Sequence, residues 1–214
     1  MIITKVLEKI EKPDLELVSQ TLDWEITSFK IEQLNWADYQ YKPRVTLRLA
    51  YNEKELFLKY KVRELQPKAE IQDDNGNVWE DSCVEMFISP LTDGCYYNLE
   101  VSCIGKKLFG YRKNGEKGIR AGKDILSKIR VLSTLGSKSF KEKSGEVEWS
   151  ITIAVPFTAF WNHNFVPQSG TKVAANFYKC GDKLANQHYL SWLPINTEKP
   201  NFHQIQFFGE LEFE

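Results

Sequence analysis

The stretch SCVEMFISPLTDGCYYNLEVSCI, residues 82 to 104, decides the fold because it contains two alternating segments joined by a short turn. Apolar side chains recur at every second position on both sides of LTDGC, as expected where one face of a strand is buried. The register that aligns these apolar faces pairs Val84 with Val101, Met86 with Leu99 and Ile88 with Tyr97. The same register sets Glu85 beside Glu100 on the opposite face. Like charges placed opposite one another destabilise a sheet, so something must compensate for this pair.

Period-two alternation also recurs elsewhere, mostly between turns rich in Asn, Gly, Asp or Pro. The alternating segments are 44–51, 55–62, 82–89, 96–104, 146–155, 172–180 and 209–214. With few long helical patterns, they predict an all-β fold, an antiparallel β-sandwich of immunoglobulin-like or jelly-roll-like type. The chain has 214 residues and no evident repeat or linker, so we expect one domain over residues 1–214.

Two regions do not show this alternation. The N-terminal stretch that carries Trp24 and Trp36 has mixed periodicity, and we predict that it adds wrapping strands. Residues 110–145 are rich in Lys, Gly and Ser and predict an irregular excursion.

Charge and hydropathy exclude several classes of partner. The 28 Lys and Arg residues nearly balance the 29 Asp and Glu residues, and no basic block favours nucleic acid or an anionic membrane. No stretch approaches the roughly 18 apolar residues of a membrane span, and the chain start lacks the apolar run of a secretory signal. We expect a monomer that is cytoplasmic if this start is native, and secreted or periplasmic if a signal has been removed.

The cysteines and histidines are scattered rather than clustered. They are Cys83, Cys95, Cys103 and Cys180, with His163, His188 and His203. No C-x-x-C or other metal-like spacing occurs, so we expect buried free thiols, and zinc is disfavoured. No cofactor is predicted. A calcium site remains an alternative, and the one segment that favours it is QDDNGN, residues 72–77, which is rich in Asp and Asn.

The polar face of the hairpin gathers Glu85, Asn98, Glu100 and Ser102. Three explanations remain open for it. Arg48, Lys59 or Lys61 could neutralise the carboxylates on an ordinary solvated surface. Glu85 and Glu100 could instead be the two carboxyl groups of a glycoside hydrolase, which lie about 5 to 5.5 Å apart in retaining enzymes. The third explanation is a sugar-binding site, in which carboxylates and an amide hydrogen-bond to hydroxyl groups.

The tryptophans divide into core and candidate ligand positions. Trp149 alternates with Val147 and Ile151, which predicts a core position. Trp79 follows a polar loop and precedes a strand, while Trp192 lies where a strand runs into a loop. Aromatic side chains at such junctions can stack on the apolar faces of sugars or contact a protein partner. A protein-interaction module is therefore a further alternative.

The motifs VWEDSCVEMFISP, YYNLEVSCIG, ANFYKC, YLSWLP and PNFHQIQFFGELEFE together resemble the family 9 carbohydrate-binding modules. The resemblance runs from about residue 44 to the C-terminus, and the motifs keep the family's order. It implies a non-catalytic β-sandwich, associated with glycoside hydrolysis and carbohydrate catabolism. The implied ligand is the end of an oligosaccharide or polysaccharide, held between two tryptophans.

The resemblance also implies roles for single residues. Trp79 and Trp192 match the stacking tryptophans, Glu85 matches the carboxylate, and Asn176 matches a hydrogen-bonding asparagine. Lys106 or Lys107 is the candidate cation, and His203 is assigned packing or polar support. Ser82 and Ser102 depart from the family pattern, where Asp and Asn are common. The predicted binding residues, from the polar face and the resemblance together, are Trp79, Glu85, Trp192, Asn176, Asn98, Glu100 and Lys106.

Overall fold

A computed structural model describes residues 1–113 and 116–214 of the chain. These residues form one curled sheet of fourteen strands with two α-helices. The first strands are β1 (Ile2–Lys5), β2 (Phe29–Lys30), β3 (Gln33–Leu34), β4 (Arg44–Tyr51), β5 (Glu55–Leu65), β6 (Cys83–Ser89) and β7 (Cys95–Ser102). The remaining strands are β8 (Lys107–Lys113), β9 (Ile119–Arg120), β10 (Arg130–Ser133), β11 (Glu146–Pro156), β12 (Lys172–Gly181), β13 (His188–Ser191) and β14 (Gly209–Phe213). The helices are α1 (Leu15–Glu25) and α2 (Lys123–Leu126), and single 3-10 turns occur at Val78–Glu80, Phe157–Ala159 and Ile205–Phe207.

The predicted all-β class is confirmed, and all seven alternating segments form strands. They correspond to β4, β5, β6, β7, β11, β12 and β14. The hairpin of β6 and β7 has the predicted register, with Glu85 opposite Glu100 and Met86 opposite Leu99. A period-two pattern with one apolar face excludes a slip of one residue, which would turn the apolar set outward, and the short turn between the two strands fixes the register that remains.

The sheet is mixed rather than purely antiparallel, which corrects the predicted arrangement. β1 pairs in parallel with β14 through Ile2 and Ile3, and in parallel with β4 through Thr4 and Lys5. It therefore joins two arms of antiparallel strands. The first arm has the order β10, β11, β5, β4, and the second arm has the order β14, β12, β6, β7, β8, β9. β13 adds to the second arm beside β12.

The interior faces of both arms contribute to one apolar core. The Tyr60 hydroxyl of β5 donates a hydrogen bond of 2.7 Å to the carbonyl of Glu85 in β6, so the arms also meet through polar atoms. Trp149 of β11 is buried in this core, as predicted, and its Nε1 donates to Glu64 Oε1 at 2.7 Å. Glu64 in turn forms a buried ion pair of 2.8 Å with Lys179 of β12.

Helix α1 replaces the wrapping strands predicted for part of the N-terminal stretch. Asp14 caps the helix by accepting a hydrogen bond from the amide of Glu16 at 2.8 Å. Val18 and Leu22, one turn apart, are buried in a second apolar cluster with Phe57. The helix therefore packs on the outer face of the first arm. Trp24 is 81% exposed.

The cations expected to neutralise Glu85 and Glu100 bind the helix instead. Asp23 of α1 lies 2.7 Å from Lys59 Nζ and 3.4 Å from Lys61 Nζ, and its other oxygen lies 3.6 Å from Arg48. These side chains point to the outer face of the first arm, whereas both glutamates belong to the second arm. The neutralised-surface explanation is therefore wrong.

The segment 110–145 is more regular than predicted. It contains the end of β8 and all of β9, α2 and β10, although residues 114–115 lie outside the described part of the chain. The pairing of β9 with β8, in which Gly110 lies opposite Arg120, extends the second arm beyond the hairpin.

Replacing Trp149 by alanine should destabilise the fold by about 3 to 5 kcal/mol, because it removes a buried aromatic side chain and leaves Glu64 Oε1 without its donor. Trp24→Ala is the matched control, and it should change the free energy of unfolding by less than about 0.5 kcal/mol because Trp24 is exposed. Urea denaturation of the three proteins measures both values. Equal stabilities for the two variants would contradict the assignment of Trp149 to the core.

Candidate functional site

An open cavity of about 280 Å³ lies on the outer face of the second arm. Four of the residues predicted from sequence line it together: Trp79, Glu85, Asn98 and Glu100. Glu85 and Glu100 come from opposite positions of β6 and β7, and Asn98 lies two residues before Glu100 on the same face. The hairpin thus supplies the polar floor of the cavity.

The floor carries buried acceptors without partners. Asn98 Nδ2 donates to Glu100 Oε1 at 2.8 Å. Among the described residues, however, no group donates to Asn98 Oδ1 or to Glu100 Oε2. Gly110 of β8 makes room for the amide, since a Cβ at that position would lie 2.5 Å from Asn98 Oδ1. Unpaired buried acceptors are costly, so both atoms are free to accept hydrogen bonds from water or from a ligand.

The two floor glutamates are hard to ionise. Burial raises the pKa of Glu85 well above its usual range, and the neighbouring Glu100 raises it further. Burial also raises the pKa of Glu100 to about 7, against the opposing effects of the Asn98 hydrogen bond, Arg112 and Arg120. Because like charges this close resist double ionisation, the pair retains a proton near neutral pH. It can therefore both donate and accept hydrogen bonds.

The walls of the cavity are largely aromatic. Trp79 lies in the 3-10 turn before β6, where its carbonyl accepts a hydrogen bond from the amide of Asp182 at 3.0 Å. Phe202 and His203 enter the lining from the loop after β13. The His203 ring stacks on Phe87 with centroids 4.9 Å apart, which fits its predicted packing role. Burial and then Arg112 lower the pKa of His203 to about 4, so the ring is neutral at pH 7.

The structure does not bring Trp192 to Trp79. Trp192 packs against Phe29 and Phe177 with ring centroids 5.5 and 5.6 Å away, on the interior side of the second arm. Phe177 and Tyr178 are neighbours on β12 and therefore point to opposite faces of the sheet. Tyr178 belongs to the apolar cluster beneath the cavity, whereas Trp192 follows Phe177 inward. In place of the predicted pairing, the two tryptophans lie on opposite faces.

Asn176 and Lys106 also lie away from the cavity lining. Asn176 is fully buried, and both ends of its amide are used by backbone groups. It accepts from the amides of Phe177 and Leu193 and donates to the carbonyls of Leu193 and Phe207. Asn176 therefore holds loops in place. Lys106 lines a separate cavity beside Ser133.

The cations of the site are Arg112 and Arg120, which the sequence analysis missed. Arg112 lies on β8, the strand next to β7, and Arg120 lies on the short β9 that pairs with β8. The sequence does contain a pattern that predicts the position of Arg112. KLFGYRK, residues 107–113, alternates and places Leu108, Gly110 and Arg112 on one face of a strand. Extending the hairpin register by one strand would have placed that face beside Asn98.

The part of the sequence that builds this site also matches a known family. A family model described as carbohydrate-binding family 9 matches residues 16–213. The chain belongs to this family. Carbohydrate-binding family 9 consists of non-catalytic modules, so the raised carboxyl pKa values belong to a binding protein rather than to an enzyme.

Solved structures share the fold. A candidate carbohydrate-binding protein from Bacteroides uniformis ATCC 8492 is 40% identical with a TM-score of 0.96, over 100% of this chain and 98% of its own. A family 9 module from Caldicellulosiruptor kristjanssonii in complex with glucose is 11% identical with a TM-score of 0.56, over 100% and 95% of the two chains. The cellotriose complex of a module from that organism is similar at a TM-score of 0.55 and 11% identity, over 100% and 94%.

A curated protein is similar to this chain over most of its length. The protein of Arthroderma benhamiae (strain ATCC MYA-4681 / CBS 112371) named "Extracellular protein" is 25% identical over 185 residues, which is 80% of this chain and 79% of that protein. In the described part of this chain, no helix has the length and apolar character needed to cross a membrane.

Glu100→Gln should become more stable relative to the wild type as the pH rises from about 4.5 to about 7. The folded protein keeps a proton on Glu100 up to a pKa of about 7, whereas the unfolded chain releases it near the ordinary value of 4.5. Rising pH in this window therefore favours the unfolded wild type, and glutamine has no proton to lose. The stability difference should change by about 3 kcal/mol in total, mostly across this window, and level off above it.

Urea denaturation of both proteins at pH 4.5, 6, 7 and 8 measures this difference. Comparing the two proteins at each pH cancels the contributions of groups that Glu100 does not affect, such as His203. Glu85 adds to the difference in the same direction, because the substitution removes the charge that raises its pKa further. A difference that is independent of pH would show that Glu100 titrates normally.

Proposed function

We propose that the cavity binds the terminal sugar of an oligosaccharide or polysaccharide. The observation that carries this proposal is the pair of buried acceptors, Asn98 Oδ1 and Glu100 Oε2, on the floor of an open cavity. Sugar hydroxyl groups are donors that would satisfy both atoms, and hydrogen bonds to charged acceptors are the stronger ones. Family membership supports the same ligand class.

The aromatic wall supports recognition of a sugar ring. Trp79 offers an apolar plane against which the C–H face of a pyranose can pack, while the floor contacts its hydroxyl edge. The predicted second tryptophan is not at the site, so we propose that Phe202 and His203 take its place. Arg112 and Arg120 add donors at the rim for ring or hydroxyl oxygens.

Recognition of a chain end, rather than of a long internal stretch, fits the size of the cavity. Its volume of about 280 Å³ is at the lower limit of small-molecule sites, which run from about 300 to 1,000 Å³. One or two sugar rings fill such a space. The family 9 modules of Caldicellulosiruptor kristjanssonii were solved with glucose and with cellotriose, which supports a short glucan end as the first ligand to test.

The expected architecture, oligomeric state and location are compatible with a sugar-binding module. The single apolar core between the arms supports a two-layer sandwich and one domain over residues 1–214. A monomer would leave the cavity free for its ligand. We favour a location outside the cytoplasm, because a relative is named an extracellular protein.

Trp79→Ala should weaken binding of the best oligosaccharide from a glycan array about 5- to 30-fold, because a stacking contact worth about 1 to 2 kcal/mol is lost. Its melting temperature should change little, since Trp79 is half-buried at the cavity. Trp192→Ala is the matched control. It should lower the melting temperature through lost contacts with Phe29 and Phe177 while leaving the affinity within about twofold. Calorimetric titration measures the affinity and thermal unfolding measures the melting temperature. Equal losses of affinity in Trp79→Ala and Trp192→Ala would show that Trp192 also contributes to the binding site.

Glu85→Gln should weaken sugar binding by about 10-fold or more while neither protein releases reducing sugar. The amide keeps the shape of the side chain but loses the ionised form and the hydroxyl proton of the acid. Release of reducing sugar by the wild type, lost in the variant, would assign the Glu85 and Glu100 pair to hydrolysis instead. Absence of binding to every glycan on the array would favour the protein-interaction alternative.

A further inference from the structure

Two cysteines meet Glu85 at the floor of the cavity. Cys83 of β6 lies directly opposite Cys180 of β12 in the antiparallel pairing, and Glu85 follows Cys83 on the same face of the strand. One sulfur from each cysteine and one carboxyl oxygen all lie within 4.8 Å of one another. Cys180 Sγ is 3.0 Å from Glu85 Oε1. The sheet itself thus holds two thiols and a carboxyl group at one point.

This donor set matches the preferences of a thiophilic divalent cation. Zinc takes thiolate sulfur at about 2.3 Å and carboxylate oxygen at about 2.0 to 2.2 Å in a tetrahedral arrangement, which separates its ligand atoms by about 3.5 to 3.8 Å. The three side-chain atoms already approach this spacing, and small rotations of the side chains would complete it. Cys180 and Glu85 line the cavity, so an ion has a path from solvent.

We propose that Cys83, Cys180 and Glu85 bind one zinc ion at the floor of the cavity. The two thiol protons and the carboxyl proton of Glu85 leave to solvent through the cavity as the ion binds, and the ion offsets the charge of the two thiolates and the carboxylate. The fourth position is left to water from the cavity, which Cys180 and Glu85 line. Sequence spacing does not reveal this site, because the cysteines are far apart in the chain and meet only through strand pairing.

The ion and the sugar would compete, a consequence that rests on the proposed sugar site. Glu85 cannot bind zinc and hydrogen-bond freely to a hydroxyl group with the same oxygen. Zinc binding therefore offers a way to control carbohydrate affinity. The metal site itself is testable without any sugar, so failure of one proposal does not decide the other.

The test starts with reduced, chelator-treated protein titrated with zinc chloride in a calorimeter and with cadmium chloride in an ultraviolet spectrometer. One ion per chain should bind, and cadmium should give the absorption of a two-thiolate complex. Cys83→Ser and Cys180→Ser should each lower zinc affinity about 100-fold or more, and Glu85→Gln about 10-fold or more. Cys95→Ser is the matched control, because Cys95 is also a buried free thiol but lies outside the cluster. Its affinity should equal that of the wild type.

Circular dichroism checks that each variant is folded, and the cadmium absorption of the wild type tests the site even if a variant is not. The absence of stoichiometric binding, or equal affinities for Cys95→Ser and Cys180→Ser, would overturn the proposal. A disulfide between Cys83 and Cys180 that survives treatment with the reductant would also overturn it. If the sugar binds, zinc that leaves its affinity unchanged would contradict the role of Glu85 as a ligand.

Discussion

The fully buried ion pair between Glu64 and Lys179 is the contact on which the rest of the structure depends. It spans the interior at 2.8 Å and joins β5 of the first arm to β12 of the second. Lys179 also donates to His188 Nε2 at 2.8 Å, and His188 Nδ1 then donates to the carbonyl of Asn186 at 2.7 Å. Burial and then the lysine lower the pKa of His188 well below its usual range, so the ring stays a neutral acceptor. Loss of either charge would leave the other unpaired in the core, which typically costs about 3 to 5 kcal/mol.

This interior contact also determines what faces the cavity. Since neighbours on a strand point to opposite faces, an inward Lys179 sends Tyr178 and Cys180 outward beneath the candidate site. The hydrogen bond from Tyr60 to the backbone of Glu85 acts in the same way on β6, since it holds the strand from inside while the side chain of Glu85 lines the cavity. In the proposed sugar site the carboxyl floor would therefore be in place before a ligand arrives, which would lower the entropy cost of binding. That floor also carries a stability cost, because two buried carboxyl groups are placed side by side.

The strands and the hairpin register could be predicted because they depend on local alternation. Side chains along a strand alternate between its two faces. Aligning the apolar residues of β6, such as Val84 and Met86, with those of β7 therefore placed Glu85 opposite Glu100. Helix α1 was missed although Asp14 is a good N-cap residue and Val18 and Leu22 have helical spacing. The apolar face of α1 is short, because only Val18, Thr21 and Leu22 are buried, so the helical period is hard to recognise in the sequence.

By itself, the sequence determined the all-β class, seven of the fourteen strands of the described residues, the pairing of Glu85 with Glu100 and the position of Asn98 on the same face. The family resemblance added Trp79 beside Glu85. Only the tertiary structure decided the inward position of Trp192, the use of Asn176 to hold loops, the position of Arg120 at the cavity, and the meeting of Cys83 with Cys180. Alternation shows which residues share a face of one strand. Which face opens to solvent, and which distant strand lies beside it, depends on how the two arms close around their common core, and that packing is non-local.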